Sequence, residues 1–163
     1  APTFAVLGNH DGGAWLARLG GSGSVEKLSG IVAGAGVRLL GNESVEWNGI
    51  RIVGLHDYWS GIFDGAKAFR GVGEAFTLVL NHNPDGKDAV REYAWDLMLS
   101  GHTHGGQARI PGIHPVWAPV GDKRFVNGLY AWEGRQLFVT RGLGSPKHVR
   151  LNCPPELSIL HLG

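Results

Sequence analysis

The chain has 163 residues, 43% of them hydrophobic and 18% charged, with a formal net charge of +1. That composition suits one globular domain over 1–163 with a sizeable core, and so small a charge gives no electrostatic reason to expect a nucleic-acid duplex or an anionic membrane surface as partner. A single cysteine, Cys153, excludes an internal disulfide and a cysteine-built zinc site, and no apolar run approaches the ~18 residues of a membrane-spanning helix.

In chain order, Thr3 to Leu7 reads as an opening strand. Gly13 to Gly20 and Ser24 to Ala33 read as short helices, the second capped by Ser24 ahead of Val25-Glu26-Lys27-Leu28. Ser44 to Trp47 and Arg51 to Leu55 flank Asn48-Gly49, which predicts a hairpin because a type I′ turn needs positive φ at both central residues. Phe63 to Arg70 suits a helix, Phe76 to Leu80 a buried strand, Pro84 to Tyr93 a helix begun by Pro84, and Asp96 to Leu99 another strand. From Ala108 onward the pattern is mostly β. Phe125 to Trp132 and Gln136 to Thr140 pair around Glu133-Gly134, and Glu156 to Leu162 ends the chain as a strand. The alternation predicts an α/β fold of two packed sheets with outer helices.

Three runs in this pattern carry unusual chemistry: Gly8-Asn9-His10-Asp11, Asn81-His82-Asn83-Pro84-Asp85 and Gly101-His102-Thr103-His104-Gly105-Gly106-Gln107. Each follows an apolar, β-prone stretch, which puts it at the carboxyl end of a strand, where open α/β sheets gather ligands. Imidazole, amide and carboxylate groups suit divalent ions such as Zn, Mn, Fe, Co or Ni. In an extended loop His102 and His104 point the same way, because side chains two apart share a face. Gly101, Gly105 and Gly106 remove Cβ atoms where the backbone turns sharply or approaches an anion. The run therefore reads as an anion-and-metal pocket.

The three runs, in this order, resemble the last three motifs of the calcineurin-like metallophosphoesterase family: GNH(D/E), a histidine after a strand, and GHxH. The form GHTHGGQ, with Trp95-Asp96-Leu97-Met98-Leu99 before it and Gly142-Leu143-Gly144 through Arg150-Leu151-Asn152-Cys153-Pro154-Pro155-Glu156 after it, is similar to one bacterial branch of phosphodiesterases and lipid-precursor pyrophosphatases. The resemblance implies an αββα sandwich of two mixed sheets, and hydrolysis by metal-hydroxide attack on phosphorus. It implies that Asn9, His82 and His102 bind one metal and His104 another. By the same resemblance His10 stands beside the leaving-group oxygen as proton donor or transition-state stabiliser, oriented by a carboxylate that Asp11 supplies. An unligated imidazole titrates near neutral pH, which suits that role.

The family pattern begins with a DxH run and a GDxxxxG run, and seven residues precede Gly8 here. The expectation is a sandwich lacking its N-terminal βα units, with one site of three ligands, a second reduced to His104, and impaired activity. An exposed edge at Thr3 to Leu7 then favours a homodimer. The alternative is a catalytically incompetent metal- or phosphate-binding module. A zinc hydrolase of the metallo-β-lactamase type is excluded, because it needs HxHxDH and Gly105-Gly106 follow His104 here.

Other positions read more plainly. His56 and Asp57, with Tyr58 and Trp59, follow a strand and border the substrate pocket, although Trp59 by itself reads as packing. Gln107 and Arg109 face either phosphate or a strand-edge ion pair. Asp85 caps the helix after Pro84, while His114, His148 and His161 are structural and Cys153 is a buried thiol. With no signal peptide pattern, the expected compartment is the reducing cytoplasm. The expected partner is a phosphoester small molecule, nucleotide or lipid-linked substrate.

Overall fold

A computed structural model describes residues 1–11, 25–110, 112, 118–144 and 150–162. The helix expected over Gly13 to Gly20, the Ser24 cap, His114 and His148 lie outside the described residues.

The chain folds as mixed α/β. Its strands are β1 (Thr3–Ala5), β2 (Val37–Leu39), β3 (Glu43–Trp47), β4 (Ile50–Gly54), β5 (Thr77–Leu80), β6 (Leu97–Ser100), β7 (Gly128–Trp132) and β8 (Arg135–Val139). The helices are α1 (Val25–Gly34), α2 (Gly65–Ala68) and α3 (Gly86–Ala89), with a 3₁₀ turn at His104–Gly106. Six strands form one sheet in the order β3-β4-β5-β6-β8-β7, parallel through β4, β5, β6 and β8 and closed at each side by an antiparallel hairpin. A second, two-stranded parallel sheet joins β1 to β2, a strand that the sequence pattern does not announce.

The hairpins follow from turn chemistry. Asn48 and Gly49 adopt φ of 48° and 77°, and Glu133 and Gly134 adopt 50° and 79°, the left-handed pair that matches strand twist. The central strands are apolar on both faces, as parallel strands covered on both sides must be. Val53, Val79, Met98, Leu137 and Val139 are fully buried against Val90, Trp95, Phe125 and Trp132. The Trp95 and Trp132 rings stack 5.7 Å apart. On the opposite face Leu99 and Phe138 line a cleft of about 270 Å3 with Leu157 and Leu160.

Several expected elements are shorter or missing, among them the strands read over Thr3 to Leu7 and Phe125 to Trp132, which are Thr3–Ala5 and Gly128–Trp132. The helix read over Phe63 to Arg70 is the four residues of α2, started by the Asp64 carboxylate on Lys67 N–H at 2.9 Å. The helix read over Pro84 to Tyr93 ends at Ala89, and Trp95 Nε1–H takes the Val90 carbonyl beyond it. Glu156 to Leu162 is not a strand: no neighbouring strand pairs with it among the described residues, and Leu157 and Ile159 stay 84% and 79% exposed. Its alternating pattern is strand-like, but a strand needs a ladder partner as well as a pattern. Among the described residues no helix is long and apolar enough to cross a membrane.

Candidate metal centre

The loops that follow β1, β4, β5 and β6 meet at one edge of the molecule, and they carry Gly8 to Asp11, His56 and Asp57, Asn81 to Asp85, and Gly101 to Gln107. Three side chains from three of these loops converge. His82 Nε2 lies 3.0 Å from Asn9 Oδ1, His102 Nδ1 lies 3.1 Å from the same oxygen, and the two imidazole nitrogens are 3.2 Å apart. Asn9 and His102 are 4% and 6% exposed.

Hydrogen bonding does not close this triangle. Nε2–H of His102 donates to the Pro119 carbonyl at 2.8 Å, so in the neutral ring Nδ1 holds a lone pair and faces Asn9 Oδ1, another acceptor. Both rings stay neutral near pH 7. Burial, reinforced by the neighbouring His102, pushes His82 down to about 3, and burial pushes His102 down to about 4. A proton on His82 Nε2 satisfies one edge and leaves the others acceptor to acceptor. A cation satisfies all three at once. Donors about 2.1 Å from one ion in adjacent coordination positions stand about 3 Å apart, so the triangle has the dimensions of one face of a coordination polyhedron. The donor set, two imidazoles and an amide oxygen, fits borderline first-row divalent ions.

Local sequence explains why these side chains meet. A Cβ on Gly8 would lie 2.8 to 2.9 Å from three atoms of the His82 ring, so the glycine is the space in which that imidazole sits. His82 stands between two fully buried asparagines. Asn81 Oδ1 accepts Asn83 N–H at 3.2 Å, and Asn83 Oδ1 accepts Asp85 N–H at 3.0 Å. These successive side-chain turns fix the loop after β5 without any helix. Trp59 packs edge-on to the His102 ring at 4.6 Å, and its backbone N–H donates to Asp57 Oδ1 at 2.9 Å.

The loop after β6 is not extended. His102 and His104 have φ of 65° and 50°, and the expectation that both rings share a face of an extended loop gives way to a tight left-handed turn. His104 lies outside the triangle, half-buried, with Nδ1 on the Gly144 carbonyl at 3.0 Å. A Cβ on Gly105 would collide, at 2.6 Å from both Arg141 Cγ and Cys153 Sγ, whereas Gly101 has room. Gln107 Nα–H donates to His104 O, and its carbonyl takes Leu151 N–H beside the bridge of Ala108 to Leu151. Cys153 is buried and free, its thiol directed at the carbonyls of His104 and Gly105.

His10 is exposed on a turn in which Asp11 Oδ2 accepts Gly8 N–H at 2.8 Å. Asp57 is 3% exposed, with Oδ2 unpaired, and burial raises its pKa. The His56 ring lies over Gly41, where a Cβ would come within 2.6 Å, and burial followed by Lys67 lowers its pKa. Asp85, expected to cap α3, makes no cap bond and instead accepts Gly121 N–H at 2.6 Å and Asp122 N–H at 3.3 Å. Among the described residues no three His, Cys, Asp or Glu side chains gather in ligand geometry, so the amide of Asn9 completes the cluster. Pro119 and Gly144 act through backbone carbonyls, which side-chain motifs do not register.

No family model and no solved structure matches the chain. It is similar to phosphodiesterase YaeI of Escherichia coli, 41% identical over 166 positions that take in 99% of this chain and 58% of that protein. It is also similar to the UDP-2,3-diacylglucosamine pyrophosphatase LpxG of Chlamydia muridarum, 34% identical over 82% of this chain and 44% of that protein. A third relative, the uncharacterized metallophosphoesterase YkuE of Bacillus subtilis, is 35% identical over 53% of this chain and 31% of its own length. The chain thus spans about half the length of the first two of these curated relatives and about a third of the third. The names these relatives carry, phosphodiesterase, pyrophosphatase and metallophosphoesterase, support the calcineurin-like metallophosphoesterase family for this chain.

Proposed function

We propose that the chain contributes metal-holding loops to a phosphoester hydrolase, with Asn9, His82 and His102 holding one divalent ion and His104 serving a second. Membership in this family implies a divalent metal cofactor, and Mn, Zn, Fe, Co and Ni all suit the donors. The observation that carries the reading is the triangle of facing lone pairs, with edges of 3.0, 3.1 and 3.2 Å, which a cation relieves. When bound, such an ion neutralises charge on phosphoryl oxygens and makes water a better nucleophile toward phosphorus.

The protein's own residues do the remaining work. His10, exposed on the Gly8 to Asp11 turn, gives a proton to the leaving-group oxygen, and Asp11 holds that turn through Gly8 N–H. His104 donates its Nδ1 proton to Gly144 and so keeps the Nε2 lone pair for a ligand role. His56, Asp57 and Gln107, on the adjoining loops, are read as the substrate border. The substrates are phosphodiesters or pyrophosphates, lipid-linked ones included, by likeness to the relatives. One free, buried cysteine suits a reducing, cytoplasmic setting. The β1 edge opposite β2, unpaired among the described residues, is read as the seam of a homodimer.

Manganese calorimetry on chelator-treated protein, followed by hydrolysis of bis-p-nitrophenyl phosphate, tests the reading. Uptake with turnover that His102→Ala abolishes is the expected result. Uptake without turnover supports a metal-binding module with no activity of its own, a reading favoured by His104 being the sole residue assigned to the second ion. No uptake overturns both.

A further inference from the structure

Asp85 stands three residues after His82 and directly before α3, yet its carboxylate makes no bond to that helix. It reaches a loop 36 and 37 positions away, where Oδ2 accepts Gly121 N–H at 2.6 Å and Oδ1 accepts Asp122 N–H at 3.3 Å. In that loop Pro119 offers the carbonyl that takes the Nε2 proton of His102 at 2.8 Å. We propose that Asp85 is a positioning residue for the metal site, holding the 118–122 loop where Pro119 fixes His102 with Nδ1 turned toward Asn9 and His82. The assignment rests on the reading of those three side chains as ligands.

The strut is continuous. Asn81 Oδ1 holds Asn83 N–H and Asn83 Oδ1 holds Asp85 N–H, both asparagines being fully buried, so Asp85 is referenced to the end of β5 and to His82. From there a carboxylate receives two consecutive backbone N–H groups, and bonds to an ionised acceptor are roughly twice as strong as neutral ones. One side chain therefore ties the loop of one ligand to the loop that orients another. The 118–122 loop has other anchors. Ala118 and Val120 pack with Val126, and Lys123 Nζ donates to the Ala118 carbonyl. These hold the loop to the body of the protein, but none of them references it to the His82 loop.

Loss of Asp85 then leaves the loop attached while its register drifts. The Pro119 carbonyl moves off the imidazole, and with no acceptor at Nε2 the ring's single proton is free to sit on Nδ1. A protonated Nδ1 presents no lone pair to the triangle. Partners of this outer kind, when removed, weaken metal binding by about 10- to 100-fold. Asp85 acts one bond further out, so the lower end of that range is expected.

Two measurements on the whole chain decide the matter: the tautomer of His102 in metal-free protein by nitrogen-edited NMR, and manganese affinity by calorimetry. Wild type should show His102 protonated on Nε2. Asp85→Ala should show a mixed tautomer and manganese binding about tenfold weaker. Asp85→Asn keeps one acceptor, so it should fall between the two. A general loss of stability does not move a tautomer in the protein that remains folded, so this readout separates positioning from scaffolding. A folded Asp85→Ala protein with wild-type tautomer and affinity overturns the proposal. If the alanine variant does not fold, the asparagine variant decides by the same two readouts. Wild-type protein that takes up no manganese sinks the metal reading, while the metal-free tautomer comparison still decides the latch.

Discussion

His102 and His104 belong to one short run, and both adopt left-handed backbone, yet the fold treats them differently. His102 is 6% exposed, gives its Nε2 proton to Pro119 and turns Nδ1 toward Asn9 and His82. His104 is half-buried and gives its Nδ1 proton to Gly144, which leaves Nε2 as its open nitrogen. The nitrogen that each imidazole offers is set by the carbonyl that claims the other one. The comparison also separates a position with three converging side chains from one whose described partner is a backbone carbonyl.

The largest expected effect breaks that contrast directly. His102→Ala should weaken manganese uptake by at least about 100-fold, because it removes a donor, whereas His104→Ala should leave uptake at the Asn9, His82 and His102 triangle within about threefold. Parallel calorimetric titrations of both variants check this. Equal losses would mean that the two histidines share one ion.

A second effect sharpens the His102 side. Gly8→Ala places a methyl group 2.8 to 2.9 Å from the His82 ring and must displace it. Overpacking of this kind costs about 1–3 kcal/mol, measurable by urea unfolding, and manganese binding should weaken in parallel. A variant as stable as wild type with unchanged metal affinity would show that the ring has somewhere else to go.

The smallest effect is a pH dependence of the metal-free protein. Folded His82 and His102 titrate near 3 and 4, below the ordinary histidine value of 6.5. Between pH 7 and pH 4 the unfolded chain therefore takes up protons that the folded pair refuses, and stability must fall as pH falls. Urea midpoints across that window, with His102→Ala for comparison, should show a shallower decline in the variant.

Much of this arrangement was legible from residue types. Asn48-Gly49 named its hairpin because few pairs tolerate two positive φ values, and the apolar runs of β5 and β6 placed His82 and His102 at strand ends. What the sequence does not reveal depends on partners far along the chain. Pro119 and Gly144 act through carbonyls that every residue carries, so nothing in their side chains marks them. Asp85 before a helix has the local signature of a cap, but Gly121 and Asp122 offer unpaired amides and win its carboxylate. Glu156 to Leu162 has a strand's alternation, and among the described residues no neighbour supplies the ladder. Local pattern was a good guide where the bonding partner is local.

The central claim is that one cation is held by Asn9 Oδ1, His82 Nε2 and His102 Nδ1. Loading the metal-free protein with spin-active cadmium and recording metal-to-nitrogen couplings by NMR tests it most directly. The account predicts couplings to Nε2 of His82 and Nδ1 of His102, with both lost on Asn9→Ala or much weakened. Cadmium that couples to neither nitrogen, or to Nε2 of His102, would contradict it.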